Sequence, residues 1–112
     1  MKNLSTPSKK VISLILQEVD FEDRLVAHSL HVRAGIKRVS LYSLEEVFAL
    51  LHTPHPQIDF NRLTVWIRDV IEDEELAERM KAVLAQEAHD HDKTLQIRDL
   101  VGLRLVQCKQ EV

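Results

Sequence analysis

Apolar residues recur at intervals of three and four along most of the chain, the spacing that places them on one face of an α-helix. A first helix is predicted by the apolar stripe that begins at Ile12 and ends at Val19. The preceding Thr6-Pro7 is typical of a helix start, because proline is tolerated in the first turn. We expect residues 1–6 to form a loose segment ahead of this helix.

The spacing changes to two between Ser29 and Tyr42, where apolar and polar residues alternate as they do along a β-strand. This alternation indicates two short strands that turn near Ala34-Gly35, and such a hairpin must lie on helices to be stable. A helix over the same residues stays an alternative. Just before this stretch, residues 25–26 are expected to end a short helical segment.

Capping residues predict where the second helix begins and ends. Ser43 and Glu46 have the spacing of a capping box, so the helix is predicted to begin at Leu44. It should stop before Thr53-Pro54, because proline removes a backbone donor and disfavours helix in the residue before it.

Polar residues divide the rest of the chain into three more helices. Asp59 is the predicted cap of a third helix over residues 60–70. The acidic run at residues 72–75 should end that helix and start a fourth, because carboxylates are favoured in the first turn. The polar run at residues 89–92 is expected to be a loop before a final helix that ends near Cys108.

Together these elements predict a mainly α fold, a compact bundle of about five helices, to which residues 29–42 add one short hairpin if their alternation is that of strands. The length of 112 residues fits a single domain over residues 1–112. Only two glycines and three prolines are present, which disfavours an all-β fold with its many turns.

Charge and cysteine content narrow the possible partners and location. The net charge of −3 gives no basic footprint for nucleic acid or for anionic lipid, so we expect neither partner. No apolar run reaches the length of a membrane span. Cys108 is the only cysteine, which excludes an internal disulfide and fits a reducing, cytoplasmic setting.

A set of short motifs lies between Ser43 and Ala77. They are Ser43-Leu44-Glu45-Glu46, Asp59-Phe60, Trp66-Ile67, Asp69-Val70, and Asp73 ahead of Leu76-Ala77. With these motifs the chain resembles a family of small prokaryotic domains of unknown function. In that family a histidine commonly precedes the Asp-Phe pair, and His52 or His55 has that place here, whereas Ile58 departs from the asparagine the family tends to carry. The resemblance supports the fold and implies no catalytic residue.

Histidines and carboxylates are the candidate metal ligands, since both bind zinc, nickel or manganese. On one helix, Glu87 and His91 would have the spacing of a ligand pair, with His89 beside them. His52 and His55 flank a proline loop and could join them or Asp59. The favoured interpretation is that residues 89–92 are a solvated loop in which Asp90 or Asp92 caps the last helix, and that one of the two loop histidines binds a helix end.

Three further features are assigned to the structure of the domain. Trp66 is expected in the core, with its indole N–H bonded to a polar group. Cys108 is expected to be a small core residue, because no histidine lies near it in sequence. The acidic run over residues 69–78 is interpreted as a solvated junction between helices.

The last helix carries a second apolar stripe. One face, with Ile97, Val101, Leu105 and Cys108, suffices to dock the helix on its own core. The second stripe needs another cover, either the N-terminal helix, the hairpin or a second copy of the chain. It comprises Leu95, Gly102, Leu103 and Val106.

No nucleophile with its base, phosphate loop or closed metal spacing is recognisable, which favours a protein that is not an enzyme and needs no cofactor. We therefore expect an interaction or regulatory module that acts by protein–protein contact, as a homodimer. The alternative is a small metal-binding protein or metal-dependent hydrolase that uses His52, His55, Glu87, His89 and His91.

Overall fold

The computed structural model describes residues 4–31, 35–53 and 56–111. Five α-helices and a two-stranded antiparallel hairpin make up this part of the chain, so the mainly α prediction with one hairpin is confirmed. The elements are α1 (Lys9–Ile15), a 3-10 turn (Phe21–Asp23), β1 (Leu25–His31), β2 (Gly35–Leu41), α2 (Leu44–Leu51), α3 (Phe60–Trp66), a π-helical turn (Ile67–Ile71), α4 (Glu74–Leu84) and α5 (Asp90–Gln110).

Helices α2, α3 and α4 begin where the sequence predicts, because their caps are local. They start at Leu44, Phe60 and Glu74. The Ser43 hydroxyl accepts the N–H of Glu46 at 3.2 Å, as the capping box requires. The Glu46 carboxylate accepts the N–H of Tyr42 at 2.6 Å, one residue ahead of the predicted one. Asp59 caps α3 through the N–H groups of its first turn, and Asp73 caps α4.

The segment before the hairpin differs from the prediction. Leu25 and Val26 belong to β1 instead of ending a helix, and the strands begin four residues before the predicted Ser29. Leu25 and Ala27 are both buried while His28 is exposed, so the period of two already starts here. Burial of one face of the hairpin in the core therefore favours a strand over a helix at Leu25 and Val26.

The hairpin is attached to the helical part at both of its edges. Ala27 of β1 pairs with Val39 of β2, and the next pair is His28 with Arg38. On the outer edge of β1, the N–H of His28 donates to the Gln57 carbonyl at 2.8 Å. On the side of β2, the N–H of Val19 donates to the Tyr42 carbonyl at 2.7 Å.

The N-terminal prediction is wrong in part. Helix α1 begins at Lys9, with Ser8 as its cap, instead of at Thr6-Pro7. Leu4 is only 4% exposed, so the segment predicted as loose is bound to the core at this residue.

Residues 89–92 also differ from the prediction, because most of them are helical. Helix α5 has 21 residues and begins at Asp90, which places Asp90 and Asp92 in its first turn. Carboxylates are favoured there by the helix dipole, although neither side chain caps the helix as predicted.

The core lies between α5 and the helices it contacts, chiefly α2 and α4. Its most deeply buried side chains include Leu44, Val47, Leu63, Ile67, Leu76, Met80, Ile97 and Val101. Within the residues that the structure describes, no helix has the length and apolar character that crossing a membrane requires.

Candidate functional site

An open groove of about 680 Å³ lies between the start of the hairpin and α3. We call it the hairpin groove. Its walls include Asp23, Arg24 and Val26 on the hairpin side and Arg62, Val65 and Trp66 on the helix side. The first residues of β1 and the exposed face of α3 therefore share one concave surface.

Trp66 joins the two walls of the groove. Its side chain is 5% exposed, and its indole N–H donates to the Asp23 carbonyl at 2.7 Å. The prediction that Trp66 is a core residue whose N–H reaches a polar group is confirmed. The bond therefore links α3 to the turn before β1 across the groove.

Three arginines line the groove without an ion-pair partner among the described residues: Arg24, Arg38 and Arg62. Arg24 lies over the ring of Phe21 at 3.8 Å and donates to the Phe21 carbonyl at 2.8 Å. Arg38 and Arg62 stand on opposite sides, one on β2 and one in the first turn of α3. Three acidic residues also line the groove: Glu22, Asp23 and Asp69. Of these, Asp69 is paired with Arg68.

Exposed apolar side chains border the same surface. Phe21 is 64% exposed and Val65 is 46% exposed, and Phe21 contacts the groove through Arg24. The π-helical turn directly follows α3 in the chain and contributes Asp69 and Val70 to the groove. Turns of this kind are rare in proteins, and those that occur are often found at functional sites.

The predicted metal ligands are not brought together. His52 donates from Nδ1 to the Phe48 carbonyl at 2.8 Å and packs edge-on against the Phe48 ring, which confirms the interpretation that a loop histidine binds a helix end. His55 lies outside the described residues. Elsewhere in the described chain, no three histidine, cysteine or acidic side chains are placed to hold a metal ion.

The pair of Glu87 and His91 fails for a local reason. Glu87 lies in the loop before α5, so the two residues do not share a helix as the spacing argument assumed. Glu87, His89 and Asp92 line a shallow depression of the surface, and all three are exposed.

The predicted interface on α5 is partly used within the chain. A Cβ atom on Gly102 would lie 2.8 Å from Cε1 of Phe48, so α2 approaches the helix closely at this glycine. Leu103 packs against the core and Leu95 is half-buried, whereas Val106 is 52% exposed. At Gly102 the cover is therefore α2, an element that the sequence argument did not name.

Sequence reasoning missed a cluster of four polar side chains, two of them buried, at the junction of α4 and α5. We call Asp73, Glu75, Arg104 and Gln107 the Arg104 cluster. Arg104 is 1% exposed and pairs with Asp73 at 2.8 Å and Glu75 at 2.7 Å. The prediction of a solvated acidic junction is therefore wrong at Asp73, which is 3% exposed.

A signal for this cluster was present in the helical spacing. Arg104 falls between Val101 and Cys108 on the face of α5 that is otherwise apolar and buried. A buried arginine requires a carboxylate partner, and the acidic run offered several.

Two titratable groups of this region have shifted pKa values. Burial opposes ionisation of Glu75, but hydrogen bonds from Arg104 and from the Ser5 backbone prevail and hold the pKa of its carboxyl below the usual value. Burial raises the pKa of the Cys108 thiol. Cys108 is fully buried, which confirms its assignment as a core residue and keeps it in the unreactive thiol form.

In comparisons with protein-family models, with curated proteins and with solved structures, none matches this chain.

Proposed function

We propose that this chain is a small interaction module that acts by protein–protein contact, with the hairpin groove as its contact surface. The observation that carries the proposal is the combination of arginines without ion-pair partners and exposed apolar side chains around Trp66. Arginine and aromatic residues are enriched in the central, energetically dominant parts of protein interfaces. A partner that places carboxylates opposite Arg38 and Arg62 fits this surface.

The proposal is tested by a charge reversal at two exposed positions of the groove. The variant Arg38→Glu with Arg62→Glu changes two exposed side chains that have no partner within the described chain. The control variant, Lys9→Glu with Arg98→Glu, makes the same change in net charge away from the groove. Tagged wild type and both variants are expressed in the source cells, and co-purifying proteins are quantified by mass spectrometry.

We expect at least one protein that co-purifies with the wild type and the control but not with the groove variant. Calorimetry should show that this protein binds the purified groove variant at least tenfold more weakly than it binds the wild type. A tenfold loss corresponds to about 1.4 kcal/mol of binding free energy. Equal recovery by all three proteins would contradict the assignment of the groove.

Self-association through α5 is the second candidate, supported by one observation. Val106 is 52% exposed, and Gly102 and Leu103, one turn earlier on the same helix, are half-buried. Light scattering of wild type and Val106→Asp over a range of concentrations tests it: a dimer that the substitution converts to a folded monomer is the expected result. A wild type that is monomeric throughout would exclude this homodimer.

The metal-binding alternative has less support, because the described histidines and carboxylates do not converge. We also propose a cytoplasmic location. It is supported by the single cysteine, Cys108, which is free and buried, because disulfides are rare in reducing compartments.

A further inference from the structure

The outer edge of β2 is a strand edge whose main-chain groups can be located from the pairing. In an antiparallel pair, alternate residues direct their N–H and C=O groups towards the partner strand and away from it. His28 exchanges both of its main-chain bonds with Gln57, so these groups point away from β2. Arg38, which is paired with His28, must therefore direct its own groups away from β1. Tyr42, four residues later, follows the same alternation, because its carbonyl accepts the N–H of Val19 on this edge.

Arg38 and Ser40 present unpaired main-chain groups on this edge. The alternation directs the N–H and C=O of both residues outward, and within the described chain no residue bonds to them there. Val19 covers the edge only at Tyr42. A row of such groups on an edge strand is a template for the addition of another strand.

The hairpin is basic in a chain that is acidic as a whole. Residues 24–44 contain four Lys and Arg residues and no Asp or Glu, although the net charge of the chain is −3. Lys37 and Arg38 are exposed on β2, and neither forms an ion pair within the part of the chain that is described. Successive residues of a strand point to opposite faces of the sheet, so one positive charge lies on each face beside the uncovered edge.

These charges select the kind of strand that can be added. Two copies paired through β2 would bring together two basic strands with no acidic residue on either, and like charges across a sheet are destabilising. An extended segment with carboxylates would instead meet Arg38 on one face and Lys37 on the other. A nucleic acid would neutralise the charges, but it has no peptide backbone to pair with the edge.

We infer that the outer edge of β2 binds an extended acidic peptide segment of a partner protein, which adds a third strand to the sheet. The main-chain groups of Arg38 and Ser40 pair with the backbone of the segment, and the positive charges select its side chains. Residues 36–40 span roughly 14 Å, the length of a short strand. The inference goes beyond the hairpin groove, because neither Lys37 nor Ser40 lines that groove.

The first experiment measures the binding of probe peptides to the full wild-type chain by fluorescence anisotropy. The probe is a labelled hexapeptide in which glutamate and valine alternate. The same peptide with every main-chain nitrogen methylated keeps its charge but cannot donate to a strand edge, so it should bind at least tenfold more weakly. A peptide with lysine in place of glutamate keeps the N–H groups but has the wrong charge, and it should also bind at least tenfold more weakly.

The second experiment changes the edge of the protein. Ser40→Pro removes one outward N–H, a substitution that edge strands tolerate, and should weaken binding of the glutamate peptide at least tenfold. The matched control is Ser40→Ala, which loses the hydroxyl that accepts the Arg24 Nε bond but keeps the N–H, and its affinity should stay within twofold of the wild type. Arg62→Glu alters the hairpin groove alone and should also stay within twofold. If circular dichroism shows that Ser40→Pro is unfolded, the methylated peptide on the wild type decides.

Four results would overturn the inference. They are no binding of the glutamate peptide at millimolar concentration, equal binding of the plain and methylated peptides, tighter binding of a thymidine oligonucleotide than of the glutamate peptide, and a dimer of the wild type that Ser40→Pro abolishes. Loss of peptide binding in Arg62→Glu but not in a folded Ser40→Pro would also overturn it, and would place the peptide in the hairpin groove. Failure of the edge and failure of the groove are thereby distinguished.

Discussion

At the scale of single residues, the arginines of this chain differ in what they contact. Arg104 is buried and makes all of its contacts within the molecule, whereas Arg38 and Arg62 stand on the surface of the hairpin groove. A buried charge is tolerated only where its partners are in place, so substitution of Arg104 affects the fold directly.

Arg104→Met should lower the free energy of unfolding by about 3–5 kcal/mol, because Asp73 then stays buried without its partner. Asp73→Asn in the same protein removes the orphaned charge while still capping α4, and should recover part of the loss. Urea unfolding of the two single variants and the double variant measures both effects. A loss below about 1 kcal/mol for Arg104→Met, as for ordinary surface changes, would show that the ion pair contributes little.

The lowered pKa of the Glu75 carboxyl predicts how the free energy of unfolding depends on pH. Because the pKa of its carboxyl is lower in the folded chain than in the unfolded one, its contribution is fully present above the ordinary carboxyl range. That contribution is lost as the pH falls from the ordinary value of 4.5 through the lower folded pKa, because the unfolded chain binds the proton first. Wild type should therefore be more stable than Glu75→Gln near neutral pH.

The difference between the two proteins should shrink on acidification below this range, as measured by urea unfolding at a series of pH values. A difference that stays constant from neutral to acid pH would mean that the Glu75 charge does not contribute.

At the scale of elements, α2 and α5 approach each other where Gly102 meets Phe48. Glycine to alanine within a helix ordinarily stabilises it by up to about 1 kcal/mol. Here the new methyl group would overlap the Phe48 ring, so Gly102→Ala should instead destabilise the protein, by about 1–3 kcal/mol. In a Phe48→Leu background the same substitution should stabilise it. Thermal unfolding of the wild type, the two single variants and the double variant tests this. Stabilisation by Gly102→Ala alone would show that the Phe48 ring moves aside freely.

The elements that could be predicted from sequence are those whose causes are local. The starts of α2 and α3 follow from Ser43 and Asp59, whose side chains bond N–H groups two or three residues away. The start of β1 at Leu25 could not be found in this way, because it depends on pairing with Leu41 across the hairpin. The partner of Arg104 lies 31 residues earlier in the chain, beyond the reach of any helical spacing.

The candidate site divides in the same way. The place of Trp66 beside an apolar stripe predicts a core residue, but its bond to the Asp23 carbonyl spans 43 residues and could not be found from helical spacing. Arg38 and Arg62 carried no sequence signal, because they become neighbours of one surface only when the hairpin lies against α3. The histidines were prominent in sequence because they are clustered there, and clustering along a chain does not make ligands converge.

At the scale of the whole molecule, the net charge of −3 does not show where the arginines lie: Arg104 is buried in the fold, whereas Arg38 and Arg62 are exposed. If the groove arginines serve a partner, reversing them should leave the isolated protein unharmed. Arg38→Glu with Arg62→Glu should change the free energy of unfolding by less than about 0.5 kcal/mol, as is usual at surface positions. Glu at position 62 would even lie in the first turn of α3, where the helix dipole favours a carboxylate.

Urea unfolding of this double variant beside Arg104→Met compares the two kinds of arginine in one experiment. The expected result is a near-unchanged midpoint for the former and a clear loss for the latter, although the former changes twice as many arginines. A loss of more than about 1 kcal/mol in the double variant would place Arg38 and Arg62 among the residues that stabilise the fold. These two arginines would then be part of the fold, and the assignment of the hairpin groove as a contact surface would be withdrawn.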